Sequence, residues 1–590
     1  MTEKKGNVFN LFQIAIQHSF SSVMLYMFLN ILNGILTPIM IIITSRFING
    51  VINSITSIEQ DYCVWFDIVL LILIYAYRRL MPSIGKFCIA YTSTDLKSKF
   101  RVKLVEKQAK LNYAVMENAD MSDLISRIFN NIDNNILGVV MGSADFCSVF
   151  FQVMGIVSIL IGHIWWLGVL MIICIIPFIY ISCKGGVAIY QSDQEVTFLT
   201  RRMYYLSDIL SNRDSAAERI LFGYTKYINR LFEKIHIERT NKNLKVITQW
   251  SIQEKMGSIL IYVYTIILIF VLVSPVKNGN MSIGLYISII GGMLSLVGIF
   301  TNVIKMLLNN FAGYQEFAKD YHKFTELPEN EYNFVDDNVK EFEFKSLELR
   351  DVSFVYPGTE KYILKNVSFV FERGKRYSLV GKNGCGKTTM VKLLTGLYDV
   401  TDGKILLNGQ DIKDLKKEEI SNVFSIIYQD AARYPLSLRE NITLGKTGEI
   451  ESVLRRTHLE QDVQRLPEGM DSVLGKLYDN GVDLSGGQWQ KIAIARALYL
   501  DKQFFVLDEP NASLSPKAES ELYNEFGSII KEKTSIMISH RLGSTKYADQ
   551  IILMEDGEIK EVGTHEALME INGMYAEMFA KQRKWYEDGE

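Results

Sequence analysis

Residues Gly381–Thr389 read GKNGCGKTT and follow the short apolar run RYSLV at 376–380. They fit the pattern G-x-x-x-x-G-K-[ST], and the strand-like run before them and the helical stretch TTMVKLLTGL after them supply the setting that this pattern requires. Glycines in such a loop allow backbone N–H groups to curl around phosphate oxygens, and the following helix directs its positive N-terminus to the same place. The segment therefore predicts a phosphate-binding loop in an α/β domain.

The residues of this loop have separate predicted roles. Lys387 would reach the β- and γ-phosphates of a nucleotide, and the hydroxyl of Thr388 would bind Mg²⁺. Lys387 is accordingly a candidate catalytic residue as well as a phosphate ligand. The residues of the segment expected to contact the nucleotide are Gly381, Lys382, Asn383, Gly384, Cys385, Gly386, Lys387, Thr388 and Thr389.

Two further segments carry chemistry of the same kind. FFVLDEP at 504–510 is an apolar strand that ends in two carboxylates, of which Asp508 suits Mg²⁺ binding through water and Glu509 suits the polarisation of an attacking water. LSGGQ at 484–488 precedes the helical stretch QWQKIAIARAL and forms a second phosphate-receptive helix start. Taken alone, the carboxylates also fit a strand-to-turn cap, and Ser485 also fits an ordinary helix N-cap.

The order of GKNGCGKTT, LSGGQ and VLDEP resembles that of the ATP-binding cassette superfamily, and the apolar N-terminal half resembles that of its exporters. The resemblance covers essentially the whole chain. It implies an ATPase that uses ATP and Mg²⁺ and pairs head to tail with a second copy of the chain. Each ATP would then lie between the phosphate loop of one copy and the LSGGQ of the other. The residues that this adds to the nucleotide site are Leu484, Ser485, Gly486, Gly487 and Gln488.

The resemblance also implies roles for three isolated residues. Tyr356 in SFVYPG matches the aromatic that stacks on adenine, Gln429 in IIYQD matches the residue that senses Mg²⁺ and water, and His540 in MISHRL matches the switch on the γ-phosphate. Considered singly, they also fit a strand-surface aromatic, a loop amide and a polar residue at a helix start. The implied catalytic residues are Lys387, Glu509 and His540, and the implied Mg²⁺ ligands are Thr388, Gln429 and Asp508.

Two positions depart from the family's pattern. After Glu509 the chain continues Pro-Asn-Ala-Ser-Leu-Ser, so that Ser515 stands where the family usually has an aspartate. Ser515 lacks the carboxylate that normally links the two sites of the dimer, which leaves coupling between the sites open and leaves room for a partner chain with a degenerate site. Cys385 replaces the more usual serine or alanine, and no mechanistic role is expected for it.

The composition of the N-terminal half suits a lipid bilayer. Hydrophobic residues make up 48% of the chain, and in this half they form long uncharged runs. A helix needs about 20 apolar residues to cross a hydrocarbon core of ~30 Å. The run at 146–183 is long enough for two crossings, with a turn at Gly162 and His163. The predicted fold of residues 1–325 is a polytopic α-helical membrane domain of the exporter type. Its six helices are expected at about 20–45, 63–92, 137–161, 164–183, 256–276 and 279–309.

The distribution of Lys and Arg residues among the loops predicts the orientation of these crossings in the membrane. The segments 93–136 and 184–255 hold seven and twelve Lys and Arg residues, whereas the segments on the other side hold only Arg46 and Lys277. Basic residues concentrate on the cytoplasmic side of a membrane. We therefore expect a multi-pass protein with both termini in the cytoplasm. Abundant Ile, Lys and Asn are typical of an AT-rich bacterial genome, which places the protein in a bacterial cytoplasmic membrane.

The two inner loops read as helices that continue into the cytoplasm, and the resemblance implies a short cassette-docking helix at 123–127. The acidic stretch 326–345 is interpreted as a linker. From 346 to 590, alternating β-branched runs and helical stretches predict an α/β ATP-binding cassette. The net charge of -3 argues against a nucleic-acid partner. Six isolated cysteines give no pattern of a disulfide framework or zinc site.

The cargo is indicated only by resemblance. AAERILFGYTKYINRLFEK, RYPLSLRENI and GVDLSGGQWQKIA are similar to segments of the exporters of lanthionine-type peptides, which are made on ribosomes and then modified. Such exporters often lack a leader-cutting peptidase, and none is expected here because the first crossing starts near Phe20. The leading prediction is export of a modified peptide by alternating access. A multidrug or lipid exporter and a membrane ATPase that senses a peptide without moving it remain as alternatives.

Charged residues within the predicted crossings are candidates for a cargo cavity. Arg78 and Arg79 lie in the second crossing and Asp145 lies in the third. A charge in the bilayer is costly unless it faces water or a partner, so these residues are predicted to line a hydrated cavity for a polar small molecule or peptide. Snorkelling to the headgroups, or an ion pair between helices for Asp145, explains them equally well.

Overall fold

The chain before residue 328 is almost entirely helical in the part that the structure describes. That structure is a computed structural model, and it describes residues 6–56, 64–212, 215–299, 305–329, 343–428, 430–475, 480–508, 533–538 and 542–587. Contacts divide the chain into two units. The first comprises Met1–Ala109 and Ala119–Leu327, and the second comprises Lys110–Asn118 and Pro328–Glu590. Most of the predicted linker, at 330–342, lies outside the described residues.

The helices up to residue 325 are α1 (Val8–Thr56), α2 (Val64–Asp95), α3 (Arg101–Lys110), α4 (Tyr113–Glu117), α5 (Ala119–His163), α6 (Trp165–Glu195), α7 (Thr197–Ser211), α8 (Ala216–Phe222), α9 (Thr225–Lys277), α10 (Ile283–Ile299) and α11 (Lys305–Thr325). A π-helical turn at Leu96–Phe100 joins α2 to α3. All of these except α4 belong to the first unit.

Several of these helices are much longer than a membrane crossing. A crossing takes about 20 residues, whereas α1 has 49 residues and α9 has 53. Within the described ranges, α1, α5, α6 and α9 are long and apolar enough to span a membrane, and α10 is a shorter apolar helix. The predicted crossings extend into polar helical segments, and α6 continues to Glu195 through Gly185 and Gly186, which follow its apolar run. The count of six crossings stays a prediction.

The short helix of the first inner loop lies elsewhere than expected. Residues 123–127 are part of α5, because no Gly or Pro interrupts the chain between Ala119 and Gly138. The separate short helix is α4, whose N-cap Asn112 accepts a hydrogen bond from the backbone N–H of Ala114 through its side chain (3.3 Å). The predicted docking helix at 123–127 is therefore corrected to 113–117.

Close backbone approach holds the helices of the first unit together. A Cβ atom built on Gly34 of α1 would lie 2.5 Å from the carbonyl oxygen of Ser148 on α5, so only glycine fits there. Small residues at helix contacts are typical of membrane proteins, in which packing replaces the hydrophobic effect as the force between helices. A buried apolar cluster connects the neighbouring helices α1, α5, α9 and α10. It includes Ile41, Ile156, Leu268, Met293 and Leu296.

The strands of the second unit are β1 (Ser346–Val355), β2 (Tyr362–Glu372), β3 (Arg376–Gly381), β4 (Asp402–Leu407), β5 (Gln410–Asp411), β6 (Phe424–Ile427), β7 (Phe504–Asp508), β8 (Thr534–Ile538), β9 (Gln550–Glu555) and β10 (Glu558–Gly563). Its helices after β3 are α12 (Lys387–Leu394), α13 (Lys417–Val423), α14 (Leu438–Thr443), α15 (Glu451–Arg456), α16 (Glu460–Arg465), α17 (Gly486–Leu500), α18 (His565–Ile571) and α19 (Met574–Glu587).

These strands form two sheets. The smaller is antiparallel, with the order β2-β1-β4-β5, and the larger has the order β10-β9-β3-β8-β7-β6. In the larger sheet, β6, β7, β8, β3 and β9 pair in parallel, and β10 adds an antiparallel edge. Aromatic side chains fill the space between the sheets, where the rings of Phe344 and Phe504 pack edge to face at 5.0 Å. The α/β organisation predicted for this half is confirmed.

We expect Gly34→Ala to destabilise the first unit by about 1–3 kcal/mol, because the added methyl group must push α1 away from the Ser148 carbonyl. The measurement is thermal unfolding of the purified protein in detergent. Gly291→Ala on α10 is the matched control, since nothing lies within 4 Å of a Cβ there and Ala favours a helix over Gly. Equal melting temperatures for the two variants would contradict the close approach of α1 to α5.

Candidate functional site

The loop between β3 and α12 is shaped around a buried lysine. Lys387 Nζ donates to the carbonyl oxygens of Gly381 (2.9 Å) and Lys382 (3.1 Å), and its side chain is buried. Gly386 has φ +106°, and a Cβ there would lie 2.7 Å from Leu364 Cδ2, so the turn requires glycine. The buried ammonium group and the start of α12 together provide a site for phosphate oxygens. This geometry fits a bound nucleoside triphosphate.

The two threonines that follow Lys387 point to different surroundings. Thr388 is exposed, so its hydroxyl is accessible to a metal ion held by phosphates. Thr389 is buried and shares a hydrogen bond with the Tyr356 hydroxyl (2.9 Å). The ring of Tyr356 also packs edge to face on Phe354 and Tyr398, at 5.0 and 5.4 Å. Tyr356 is therefore fixed beside α12, and its role in adenine stacking stays a prediction.

The register of the larger sheet brings Asp508 to the same edge as the loop. Asp508 at the end of β7 and Leu379 near the end of β3 are both paired with Ile538 on the intervening strand β8. Neighbouring strands are about 4.8 Å apart, which separates the β3 and β7 backbones by only about 10 Å. Asp508 is buried at this edge. Thr388 and Asp508 thus lie on the side of the sheet where a magnesium nucleotide would bind.

Four of the predicted residues fall outside the described residues. They are Gln429, Glu509, Ser515 and His540. Their predicted roles rest on the sequence alone. Among the described residues there is no group of three or more His, Cys, Asp or Glu side chains placed to hold a metal.

The LSGGQ segment starts α17 with a capping box. Ser485 Oγ accepts from the Gln488 N–H (3.3 Å), and Gln488 Oε1 accepts from the Ser485 N–H (2.9 Å). Gln488 also donates to Asp462 Oδ1 (2.9 Å). Ser485 and Gly486 are exposed, whereas the following Trp489 is buried. The N-cap interpretation of Ser485 is therefore correct, and the exposed first turn also remains open to a ligand.

A tyrosine and lysine cluster beside α12 was missing from the sequence-based prediction. Lys392 lies on the helix of the phosphate loop, with its ammonium group 5.4–5.9 Å from the ring centres of three tyrosines. It forms an ion pair with Glu117 of α4 (2.7 Å). The three tyrosines are Tyr113, Tyr356 and Tyr398. No local pattern could have found this cluster, since Glu117 and Lys392 are far apart in the chain.

Glu117 is held ionised by this cluster. Partial burial raises the pKa of its carboxyl group, but hydrogen bonds from Lys392 and the Tyr398 hydroxyl outweigh that effect and keep the pKa below its ordinary value. The helix α4 is thereby attached to the helix that carries the phosphate loop. Both belong to the second unit.

Cys385 lies under the loop rather than at its surface. Burial raises the pKa of its thiol, although the nearby Lys387 acts in the opposite direction. A protonated, buried thiol is a poor nucleophile. The expected lack of a mechanistic role for Cys385 stays a prediction.

The three charged residues predicted to line a cargo cavity have different surroundings. Arg78 Nη2 donates to Thr37 Oγ1 (2.6 Å), and Nη1 lies 3.5 Å from Met40 Sδ, so this side chain packs on α1. Arg79 is exposed, and Asp145 is half-buried. Among the described residues, no hydrogen bond or ion pair joins these three. Their predicted common cavity stays a prediction.

We expect Glu117→Gln to lower the free energy of unfolding by about 1 kcal/mol at pH 7, because it removes a partly exposed ion pair. A carboxyl group whose pKa is lower in the folded state stabilises that state at pH values above the pKa of the unfolded state. This stabilisation is lost as the pH falls through the folded-state pKa. The difference from wild type should therefore shrink below about pH 4.5. Thermal unfolding of wild type and Glu117→Gln across a pH series measures this difference. Glu106→Gln on the exposed face of α3 is the control, and an equal effect there would contradict the ion-pair role.

Family comparisons assign both halves of the chain. The family model described as "ABC transporter transmembrane region" matches residues 23–300, and the one described as "ABC transporter" matches residues 364–512. The second match contains the phosphate loop, LSGGQ and Asp508. The first contains most of the long helices.

Similar proteins match along nearly the whole chain. The subtilin transport ATP-binding protein SpaT of Bacillus subtilis is 28% identical over 555 residues, covering 92% of this chain and 90% of that protein. The nisin transport ATP-binding protein NisT of Lactococcus lactis is 25% identical over 573 residues, covering 95% and 93%. An ATP-dependent lipid A-core flippase of Pseudomonas aeruginosa is 29% identical over 528 residues, covering 87% and 84%.

The fold has a solved counterpart. A bacterial Atm1-family ABC exporter with ATP bound superposes with a TM-score of 0.75 at 19% sequence identity, covering 95% of this chain and 98% of that chain. Two family matches and relatives along nearly the full length agree with the site described above, and the solved structure shares the fold. The chain therefore belongs to the ABC transporter family, as a half-transporter that joins one membrane domain to one ATPase domain whose hydrolysis of ATP drives transport.

Proposed function

We propose that two copies of this chain form a homodimer that exports a lanthionine-type modified peptide from the cytoplasm. The observation that carries this proposal is the similarity to the subtilin and nisin transport proteins, which extends over 92% and 95% of the chain and so includes the membrane unit. A match confined to the ATPase would carry no information about cargo, because that domain is shared by transporters of many substrates.

A homodimer is supported by apolar surface that one chain leaves uncovered. The short helix α8 exposes Ile220, Leu221 and Phe222 by 76%, 81% and 75%. Three adjacent exposed hydrophobic residues are typical of an interaction surface. We assign this surface of α8 to contact with the second copy of the chain. In the same dimer, LSGGQ of each chain completes the phosphate-loop site of the other.

The distribution of charge supports the orientation. The segments 93–136 and 184–255 hold the basic residues and belong on the cytoplasmic side. Both termini and the ATPase domain are then cytoplasmic, in a multi-pass protein of the bacterial cytoplasmic membrane. Cargo and ATP would be bound from the same compartment, as export requires.

The residues of the ATPase site divide the chemistry among them. Lys387 and the backbone of its loop would hold the phosphates. Thr388, Gln429 and, through water, Asp508 would hold Mg²⁺, which would neutralise charge on the phosphate oxygens. Glu509 polarises the attacking water, and His540 contacts the γ-phosphate. Since α12 carries both the phosphate loop and Lys392, closure of the dimer on ATP moves the helix to which Glu117 is bound. We propose that this movement drives alternating access of the membrane domain.

A lipid exporter is the second candidate. The similarity to a lipid A-core flippase, at 29% identity over 87% of the chain, favours it. Uptake into inside-out membrane vesicles distinguishes the two candidates. We expect ATP-dependent uptake of a lanthionine peptide, whereas ATP-dependent flipping of fluorescent lipid without peptide uptake would support the lipid exporter. Peptide-stimulated ATPase activity with no uptake of either would support a sensor.

We expect Glu509→Gln to lower ATP hydrolysis at least about 100-fold and to abolish peptide uptake, because the attacking water is no longer polarised by a carboxylate. ATP binding should persist, since the phosphate-binding residues are unchanged. Phosphate release and nucleotide binding by the purified full-length protein are the measurements. Glu451→Gln at the exposed start of α15 is the control. Hydrolysis by Glu509→Gln at the wild-type rate would rule out this residue as the catalytic base.

A further inference from the structure

A polar cleft lies between α5, α6 and α11 in the first unit. It has a volume of about 450 Å³ and is lined by Arg127, Asn131, Asn135, Ile189, Tyr314 and Asp320, among others. This volume is within the range of cavities that bind drug-sized molecules, so it suits a segment of a peptide. None of these residues takes part in the ATPase site or in the predicted cavity around Arg78.

The cleft is rich in hydrogen-bond acceptors. Asn131 and Asn135 are four residues apart and share one face of α5. Asn135 Nδ2 donates to the Asn131 carbonyl (2.9 Å), and Asn131 Nδ2 donates to the Arg127 carbonyl (3.3 Å). Each side-chain amide thus donates an N–H to a backbone carbonyl of its own helix. Among the described residues, no donor is bound to the Oδ1 atom of either asparagine. Two carbonyl acceptors on α5 remain for a ligand.

The side chains that line the cleft carry one more negative than positive charge. The carboxylates of Glu316 and Asp320 on α11 outnumber the guanidinium of Arg127. Arg127 Nε pairs with Asp320 Oδ2 at 3.2 Å, and Glu316 pairs with Lys319 on its own helix. Side chains of Ile189 and Phe317 supply an apolar wall. An aliphatic chain that ends in an ammonium group fits this combination of wall and acceptors.

The position of the cleft is suited to cargo that arrives from the cytoplasm. Its α5 residues precede the uncharged run that starts at 146, and Ile189 follows the end of that run at 183. The cleft therefore lies beyond the apolar segments, on the side that carries the basic loops. Tyr314 fixes α11 against α5 here, because its ring and hydroxyl occupy the space that a Cβ on Gly138 would fill.

We propose that this polar cleft is the site that first receives the exported peptide, and that it recognises lysine ammonium and backbone N–H groups. The inference rests on the proposed function, because it assumes that the cargo is a peptide. The Asn131 and Asn135 carbonyls accept the N–H groups, and the carboxylates of α11 attract the ammonium. The site thereby selects cationic segments over neutral ones.

The test uses the full-length protein in lipid nanodiscs and in inside-out vesicles, with the synthetic peptide Ala-Lys-Ser-Lys-Ala amide as probe. The same peptide acetylated at its lysines and N-terminus is the neutral comparison. For wild type, we expect the half-maximal concentration for ATPase stimulation and for uptake to be about fivefold lower for the cationic peptide. The Asn131→Ala, Asn135→Ala double variant should raise this concentration about tenfold at unchanged maximal rate, since two hydrogen bonds are lost. Alanine favours the helix, so the fold is expected to persist.

Two matched variants separate recognition from damage to the fold. Asn130→Ala removes an exposed amide on another face of α5, which contacts Ser126, and should leave the half-maximal concentration unchanged. Arg127→Gln frees Asp320 from its ion pair and should lower the value for the cationic peptide about fivefold, a gain that a damaged protein would not show.

Each outcome bears on one assumption. If wild type transports the cationic peptide but the double variant behaves like Asn130→Ala, the cleft assignment is wrong and the proposed function stands. If wild type takes up the lanthionine peptide but neither responds to nor transports the two short peptides, the cleft assignment is wrong and the proposed function stands. If wild type takes up none of the three peptides, the proposed function fails and the cleft assignment fails with it. Stimulation by phosphatidylethanolamine instead of peptide, lost in the double variant, would overturn the peptide assignment in favour of an amine-bearing lipid.

Discussion

The parallel register of β3, β8 and β7 is the constraint on which the nucleotide site depends. Because Leu379 and Asp508 share the partner Ile538, the phosphate loop and the acidic strand end emerge at one edge, separated by a single strand. A slip of one residue would turn Asp508 to the opposite face of the sheet. The buried ammonium of Lys387, held by two carbonyl groups, then fixes the loop at this edge.

The same edge connects to the segment between α3 and α5. Residues 110–118 belong to the second unit although the chain on both sides of them belongs to the first. Glu117 binds Lys392 on the helix that starts at the phosphate loop, and Tyr356 joins the same cluster through Thr389. A change in nucleotide contacts at α12 would thus reach α4, and the chain on both sides of α4 continues into the first unit. This contact gives the proposed coupling a defined physical path.

The long helices of the first unit must pack together in lipid, where burial of apolar surface contributes little to their association. These helices meet where glycine removes the side chain, as at Gly34 against Ser148. Beyond the apolar part, Asn131, Asn135 and the charged side chains of α11 line an open cleft. Close contacts in the apolar part and a polar cleft beyond it fit the proposed transport of a polar cargo by moving helices.

Features that depend on neighbouring residues could be predicted from the amino-acid sequence. The phosphate loop, the capped LSGGQ helix and the acidic strand end are local patterns, and the apolar runs follow from the thickness of a bilayer, so all were readable in order along the chain. Other features depend on contacts between distant segments and emerged only from the three-dimensional fold. Helix ends lay far beyond the apolar runs, the short helix was at 113–117 rather than 123–127, and Arg78 turned toward Thr37. Glu117 met Lys392, and three helices formed one cleft. Such contacts join residues distant in sequence, and their geometry is set by how whole helices pack, which no local pattern records.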